Sequence, residues 1–335
     1  MSKFYVKFLL FTLLLALVVI VLGAYTRLSD AGLGCPDWPG CYGHLTVPAD
    51  ATGLGFERPL EHAKAWAEMV HRYVAGILGI AILLIFLLTV FSRELRERQG
   101  VFLPFLLLCT VIFQALLGMW TVTKLLSPVI VTGHLIGGFT TLSLIWILWL
   151  RSRYPSPGGV MSERRFQRFK GLRILAGVAL LCVIVQIVLG GWTSTNYAAI
   201  ACGPVYPTCH GSLWPEADFA KGFSLGIQME EGVDYEYGIL ESPARTAIHM
   251  THRAGALVVL SVVGLLGLLL AFSVKAVFVN NTAKVMLGLL LLQFTLGILN
   301  VVLALPLFIA TAHNMVAALL LLSLIAVNYK LYAQR

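Results

Sequence analysis

The sequence predicts an all-α integral membrane protein in which eight transmembrane helices form two four-helix bundles related by a pseudo-twofold axis. Three observations predict this fold class. The 335 residues are 59% hydrophobic and only 12% charged, whereas soluble domains are about 25% charged. The apolar residues cluster in runs of roughly 20, enough to cross a hydrocarbon core of about 30 Å as a helix. The two halves of the chain also contain the same motifs in the same order.

Eight apolar runs mark the predicted spans, which must be helices because backbone polar groups in lipid are satisfied within one segment. They lie near residues 6–26, 66–91, 101–123, 129–150, 172–194, 244–273, 283–304 and 307–328. The first run is longer than the apolar part of a signal peptide and lacks a clear small-residue cleavage site. We therefore expect it to remain in the protein as the first span.

Basic residues indicate which side of the membrane each connection faces. Lysine and arginine concentrate at both ends of the chain and in the connections 92–98 and 151–173, whereas the long connections 27–65 and 195–243 hold most of the 16 acidic residues. The positive-inside rule places the basic segments in the cytoplasm and the long loops in the periplasm or its equivalent. This distribution also accounts for the net charge of +8, so no nucleic-acid partner is expected.

The internal repeat defines the predicted domains. Its aligned segments are VLGAYTRLSDAGLGC (21–35) with VLGGWTSTNYAAIAC (188–202), EMVHRYVAGIL (68–78) with HMTHRAGALVV (249–259), and QALLG (114–118) with QFTLG (293–297). Each half contains four spans, an even number, so the two repeats have the same orientation in the membrane. We predict an N-terminal bundle at 1–150, a basic cytoplasmic linker at 151–173 and a C-terminal bundle at 174–335.

Four histidines lie inside spans at matching places, each a few residues into the outer end: His71, His134, His252 and His313. Ionisable side chains inside a membrane are costly and usually functional, although one histidine can simply bond a neighbouring helix. Two imidazoles from facing helices can ligate one haem iron, which would pair His71 with His134 and His252 with His313. Zinc is the competing metal, but it usually takes three or four ligands, so the pairs favour haem.

An arginine directly follows the first histidine of each half. Arg72 follows His71, and Arg253 follows His252. Arginine binds carboxylates with two parallel hydrogen bonds, so we predict that both arginines hold haem propionates. A snorkelling side chain or an interhelical salt bridge is the alternative.

One charged position differs between the halves. Glu68 stands three residues before His71, on the same helical face, whereas the matching residue before His252 is His249. We predict that Glu68 is a catalytic carboxylate that stabilises developing positive charge or moves a proton. The alternative is that it orients a histidine.

The combination of motifs resembles the haem A synthase family. The matching segments are GLGCPDWPGC, EMVHR, HMTHR, LGMWTV, GHLIGG and CGPVYPTC. The resemblance covers essentially the whole chain, and the long outer loops are similar to those of the proteobacterial and mitochondrial-type members. It implies an enzyme of the bacterial inner membrane that oxidises the C8 methyl group of haem O to the formyl group of haem A for terminal oxidases.

The resemblance also assigns the two histidine pairs. It implies a haem b cofactor at His252 and His313 in the C-terminal bundle, and the substrate haem O at His71 and His134 in the N-terminal bundle. Haem O synthase and cytochrome oxidase assembly proteins are the implied protein partners, and the oligomeric state is left open. A quinol-linked bis-haem b electron-transfer cytochrome and a non-catalytic haem-binding assembly factor are the alternative functions.

The family's loop cysteines correspond to Cys35 with Cys41 and to Cys202 with Cys209. A disulfide is chemically permitted on the outer side of the membrane. No histidine stands at ligand spacing, which weakens a metal site, and the repetition in both halves favours a structural staple above each haem site. A thiol role for the N-terminal pair alone is the alternative.

Overall fold

The computed structural model describes residues 3–154, 163–230, 232–274 and 276–332. Within these ranges the helices, in chain order, are α1 (Lys3–Leu28), α2 (His62–Phe91), α3 (Arg93–Gln99), α4 (Phe102–Thr123), α5 (Pro128–Arg153), α6 (Glu163–Thr195), α7 (Phe219–Gly222), α8 (Ser242–Ser273), α9 (Val277–Val302) and α10 (Leu307–Tyr332). A 3₁₀ turn covers Ile227–Met229. In this described part, all except α3 and α7 are long and apolar enough to cross a membrane, which confirms the eight predicted spans.

The basic connections contain more helix than the sequence predicts. The segment 93–99 forms α3, which Ser92 caps by accepting a hydrogen bond from the Leu95 N–H (3.4 Å). Helix α6 begins at Glu163, so it takes in the second part of the predicted linker. Residues 155–162 of that linker, and Arg335 at the basic C-terminus, lie outside the described residues.

Helix contacts follow the same order in both halves. Helix α1 packs on α2 and α5, which both pack on α4; likewise α6 packs on α8 and α10, which both pack on α9. Helices α1, α5, α6 and α10 make the contacts between the halves. One buried apolar cluster, which includes Leu9, Ile145 and Leu324, runs through both halves. The division into two bundles at residues 150 and 174 stays a prediction.

The repeat extends to the backbone where the spans end. Residues other than glycine rarely adopt positive φ angles, yet they do so at matching places in the two halves. The pairs are Asp30 (50°) with Tyr197 (52°), Leu125 (48°) with Ala304 (55°), and Leu126 (61°) with Leu305 (64°). Both halves therefore leave these helices with the same backbone conformation at matching positions.

Side chains of the two long loops connect the halves at one end of the helices. Arg58 in the first loop forms ion pairs with Glu236 (2.6 Å) and Asp234 (2.5 Å) in the second. Below them, Arg27 at the end of α1 donates from Nη2 to the Ser194 carbonyl of α6 (2.7 Å). These contacts fix the two outer loops relative to each other.

Candidate functional site

The structure brings His71 and His134 together. Their ring centroids are 6.5 Å apart and the ring planes are nearly perpendicular, at 82°. The two residues belong to α2 and α5, which lie across the ring of four helices from each other. His252 and His313 occupy the same places on α8 and α10, within electrostatic range of each other. All four histidines are half-buried.

Each imidazole packs against a glycine of the preceding spanning helix. Every one of these glycines lies five residues before the last residue of its helix, so the four contacts occur at the same depth. A Cβ atom built on each glycine would lie close to Cε1 of the histidine. The distance is 2.9 Å for Gly23 with His71 and 3.4 Å for Gly118 with His134. It is 3.2 Å both for Gly190 with His252 and for Gly297 with His313. Glycine is therefore what allows each ring to approach the neighbouring backbone.

The residue four positions before each glycine points to the same histidine, because four residues make about one helical turn. It is glutamine in three cases and Val19 in the fourth. Gln186 places Nε2 3.1 Å from Nδ1 of His252 and also donates to the His252 carbonyl (3.0 Å). Gln293 places Nε2 3.1 Å from Nε2 of His313.

The corresponding glutamine of the N-terminal half makes a different contact. Gln114 donates from Nε2 to the main-chain carbonyl of His134 (2.8 Å). Among the described residues, Nδ1 of His71 and Nδ1 of His134 are buried without a hydrogen-bond partner, as is Oε1 of each of the three glutamines. Buried polar atoms are nearly always paired, so this concentration of unpaired atoms is typical of a place that receives a ligand.

Glu68 and Arg72 form a buried ion pair above His71. Glu68 is 5% exposed; its Oε1 lies 2.5 Å from Nη2 of Arg72, and its Oε2 accepts from the Cys35 N–H (2.9 Å). Arg72 Nη1 donates to the carbonyls of Asp37 (3.0 Å) and Gly40 (2.5 Å). The pair thus joins α2 to the loop that contains the first two cysteines.

Arg253 makes the equivalent attachment in the other half. It donates to the carbonyls of Val205 (3.0 Å) and Thr208 (3.0 Å), and its Nε donates to Nε2 of His249 (3.1 Å). His249 is 3% exposed. Both arginines therefore hold the loop above their histidine, and the predicted contact with haem propionates stays a prediction.

The four loop cysteines form two pairs at bonding distance. The S–S distances are 2.04 Å for Cys35–Cys41 and 2.05 Å for Cys202–Cys209. Within the first loop, the Asp37 carboxylate accepts from the Tyr42 N–H (2.6 Å). Burial raises the pKa of the Tyr42 phenol, which stays protonated and donates to the Pro59 carbonyl (2.9 Å). The loop is thus braced internally as well as by Arg72.

Sequence reasoning missed the four glycines and the role of Gln186. The available signal was the similarity of the segments QALLG, QIVLG and QFTLG, which end at Gly118, Gly190 and Gly297, with VIVLG, which ends at Gly23. The described residues contain no cluster of three or more histidine, cysteine, aspartate or glutamate side chains that could hold a metal ion.

The fold and the site define a class of protein: a multi-pass membrane protein with paired histidines beneath disulfide-closed loops in two repeated halves. A family model described as cytochrome oxidase assembly protein (COX15-CtaA) matches residues 6–325. The chain belongs to this family, that of the haem A synthases.

Individual relatives agree with this assignment. The chain is 44% identical to the haem A synthase of Shewanella oneidensis, over 96% of this chain and 94% of the relative. It is 28% identical to that of Beijerinckia indica, over 92% and 87%, and 26% identical to that of Halalkalibacterium halodurans, over 92% and 90%. The similarity therefore includes both halves and both long loops.

Proposed function

We propose that this protein is a haem A synthase that oxidises the C8 methyl group of haem O to a formyl group, giving haem A for terminal oxidases. The observation that supports this most directly is full-length similarity to haem A synthases in a chain with two histidine pairs and a carboxylate, Glu68, in only one half. The conversion replaces two hydrogen atoms of the methyl group by one oxygen and removes four electrons.

The spacing of the N-terminal histidine pair suits haem. Metal–nitrogen bonds of about 2 Å on either side of one iron place two imidazole centroids roughly 6 Å apart, and the His71 and His134 centroids are 6.5 Å apart. We propose that this pair takes the substrate haem O. We further propose that His252 and His313, at the equivalent places of the other half, hold a resident haem b.

A resident haem b would supply one-electron redox chemistry. The protein's own residues hold the proposed catalytic carboxylate next to the substrate site. Glu68 lies one turn before His71, and the Arg72 guanidinium and the Cys35 N–H hold its two oxygens in place. A carboxylate fixed in this way can stabilise positive charge that develops at the substrate, or accept a proton. The braced loop above it limits the access of water to the outer end of the site.

The location follows from the charge pattern and the loops. We propose the bacterial inner membrane, with cytoplasmic termini and with both cysteine loops in the periplasm. The two S–S pairs support this, because they lie in the two acidic loops and disulfides persist in an oxidising compartment. Haem O synthase and cytochrome oxidase assembly proteins are the proposed partners, and propionate binding by Arg72 and Arg253 is part of the proposal.

One experiment tests the activity. The protein is expressed with a source of haem O in a host that makes no haem A, and the extracted haems are identified by mass. We expect haem A to be formed. Extraction of haem O alone would contradict the enzyme and leave an electron-transfer cytochrome or a haem-binding assembly factor. A protein that binds no haem would contradict all three functions.

Substitution of Glu68 tests the proposed catalytic group in the same host. Glu68→Ala is expected to retain bound haem and to form no haem A. Glu68→Gln is the sharper variant, because an amide oxygen can still accept from the Cys35 N–H while the charge is removed. If Glu68→Gln forms haem A as the wild type does, Glu68 anchors the loop and takes no part in the chemistry.

A further inference from the structure

We infer that Gln186 is a positioning residue whose side-chain amide fixes the His252 imidazole. Its counterpart Val19 offers His71 no such side-chain contact, so that the C-terminal half retains its haem while the N-terminal half exchanges it. This inference rests on the proposed function, since it assumes that both histidine pairs bind haem. It adds a reason why one site holds a resident cofactor and the other a substrate.

The contact of Gln186 is suited to this role by its geometry. Gln186 stands four residues before Gly190, the glycine on which the His252 ring packs, so its amide reaches the ring from the same helix. It contacts both Nδ1 (3.1 Å) and the main-chain carbonyl of His252 (3.0 Å). One amide thus fixes both the ring and its backbone, while the ring's other nitrogen, Nε2, is left for a ligand.

The amide group can serve the imidazole in either tautomer. In the structure Nε2 of Gln186 faces Nδ1 of His252, while Oε1 of Gln186 is buried without a partner among the described residues. When Nε2 of a histidine binds a metal, Nδ1 carries the proton and needs an acceptor. Rotation of the Gln186 amide supplies that acceptor, in exchange for its hydrogen bond to the His252 carbonyl. A partner of this kind orients the ring and makes it a stronger ligand, and its removal typically lowers metal affinity by about 10- to 100-fold.

The N-terminal half lacks an equivalent side-chain contact at either ring. Val19 has no side-chain donor or acceptor and reaches the His71 ring through its main-chain carbonyl, and the Gln114 side chain bonds the main-chain carbonyl of His134 rather than its ring. In the described part of the chain, Nδ1 is buried without a partner at His71, His134 and His313, so His252 is the one of the four histidines whose Nδ1 a side chain holds. A half that must take up a substrate haem and release the product is served by ligands that are held less firmly.

The test measures how fast haem leaves each half of the full-length protein in detergent. His71→Ala leaves only the C-terminal pair intact, and His252→Ala leaves only the N-terminal pair. Each background is loaded with haem b, and haem transfer to excess apomyoglobin is followed by absorbance. In the His71→Ala background we expect Gln186→Val to accelerate transfer by about 10-fold or more. In the His252→Ala background we expect Val19→Gln to slow it.

Matched variants and a second measurement separate positioning from packing. Val19→Leu changes size without adding an amide and is expected to leave the transfer rate unchanged. Gln186→Val is also expected to raise the reduction potential of the C-terminal haem, because a weaker imidazole donor stabilises the oxidised iron less. If Gln186→Val does not fold, as judged by circular dichroism and gel filtration, the slower haem transfer expected from Val19→Gln is the deciding test.

The outcomes distinguish this inference from the proposed function. If neither background binds haem, the proposed function fails and the inference with it. If both backgrounds bind haem but Gln186→Val and Val19→Gln release it at the rates of their parents, the inference is overturned while the proposed function stands. Slower release after Val19→Gln, together with no change after Val19→Leu, supports it.

Discussion

The two halves of the molecule share a scaffold and differ in a few side chains beside the histidines. In both, an imidazole packs on a glycine, an arginine holds a disulfide-closed loop, and the chain turns at matching positive φ angles. The differences lie beside the histidines: Glu68 against His249, and Val19 against Gln186. Since the backbone matches at these places, we expect these few side chains to set the difference in chemistry between the halves.

The arginine contacts show how one such difference acts. Arg72 is paired with a carboxylate that also accepts from the loop backbone, whereas Arg253 donates to an imidazole. Breaking a buried ion pair by removing one partner leaves the other charge uncompensated and costs about 3–5 kcal/mol. The loop over His71 therefore depends on a pair of opposite charges, whereas the loop over His252 depends on hydrogen bonds from Arg253 to neutral acceptors.

The largest expected effect comes from removing one histidine of a pair. His252→Ala is expected to lose the haem b that is purified with the wild type, and His71→Ala to lose haem O while that haem b remains. The measurement is the mass of the haems extracted from each purified variant. If His252→Ala retained as much haem b as the wild type, the assignment of cofactor and substrate to the two halves would be wrong.

The next largest effect is expected from a substitution that gives the N-terminal half the residue of the C-terminal half. Glu68→His introduces the residue that the C-terminal half uses and is expected to lower the rate of haem A formation by about 100-fold or more, the usual contribution of a general acid or base. His249→Gln, which preserves an acceptor for Arg253, is the control and should lose far less. Equal losses in the two variants would show that Glu68 acts only through the loop.

A smaller effect is expected from the disulfides. Replacing either cysteine pair by serine is expected to lower stability by about 2 kcal/mol, because each bridge closes a similarly short loop. Thermal unfolding in detergent measures this, with Cys109→Ser, at a free cysteine, as the control. If both variants lose about the same stability but only the N-terminal variant stops forming haem A, a thiol role for Cys35 and Cys41 would be favoured instead.

The smallest effect is expected at the contact between the outer loops. Arg58→Ala removes the ion pairs with Asp234 and Glu236, and because the site is partly exposed to solvent, the loss should not exceed about 1 kcal/mol. Lys221→Ala, which removes an exposed pair within the second loop, is the matched control. A much larger loss for Arg58→Ala would mean that the halves depend on each other for stability.

The spans and the repeat could be predicted because hydrophobic length and motif order are local properties of the chain. Helix α9 shows where this fails. It begins at Val277 rather than near 283, because the Nδ2 group of Asn280 donates to the Ala271 carbonyl (2.5 Å) at the end of α8. A polar residue in a predicted connection can thus become part of a helix when the end of a neighbouring helix accepts a hydrogen bond from its side chain.

The candidate site could be predicted in part. The histidines and Glu68 stand out because charged or ionisable residues are rare within spans. The loop contacts of Arg72 and the packing of Gly23 on His71 could not be derived, because they depend on which elements become neighbours in three dimensions. The four-residue spacing from glutamine to glycine is visible in the sequence. Its structural role could not be inferred, because that requires knowing which helix faces each histidine.

The packing of each histidine on a glycine of the preceding spanning helix has a consequence for how the protein is made. In each pair of successive spans, α1 with α2, α4 with α5, α6 with α8 and α9 with α10, one glycine packs on one of the four histidines. One hairpin thus provides one of the two imidazoles of a proposed pair, and two hairpins provide both. Since α1 to α5 precede the C-terminal half in the chain, both imidazoles of the N-terminal half can enter the membrane while most of the C-terminal half is still to be synthesised.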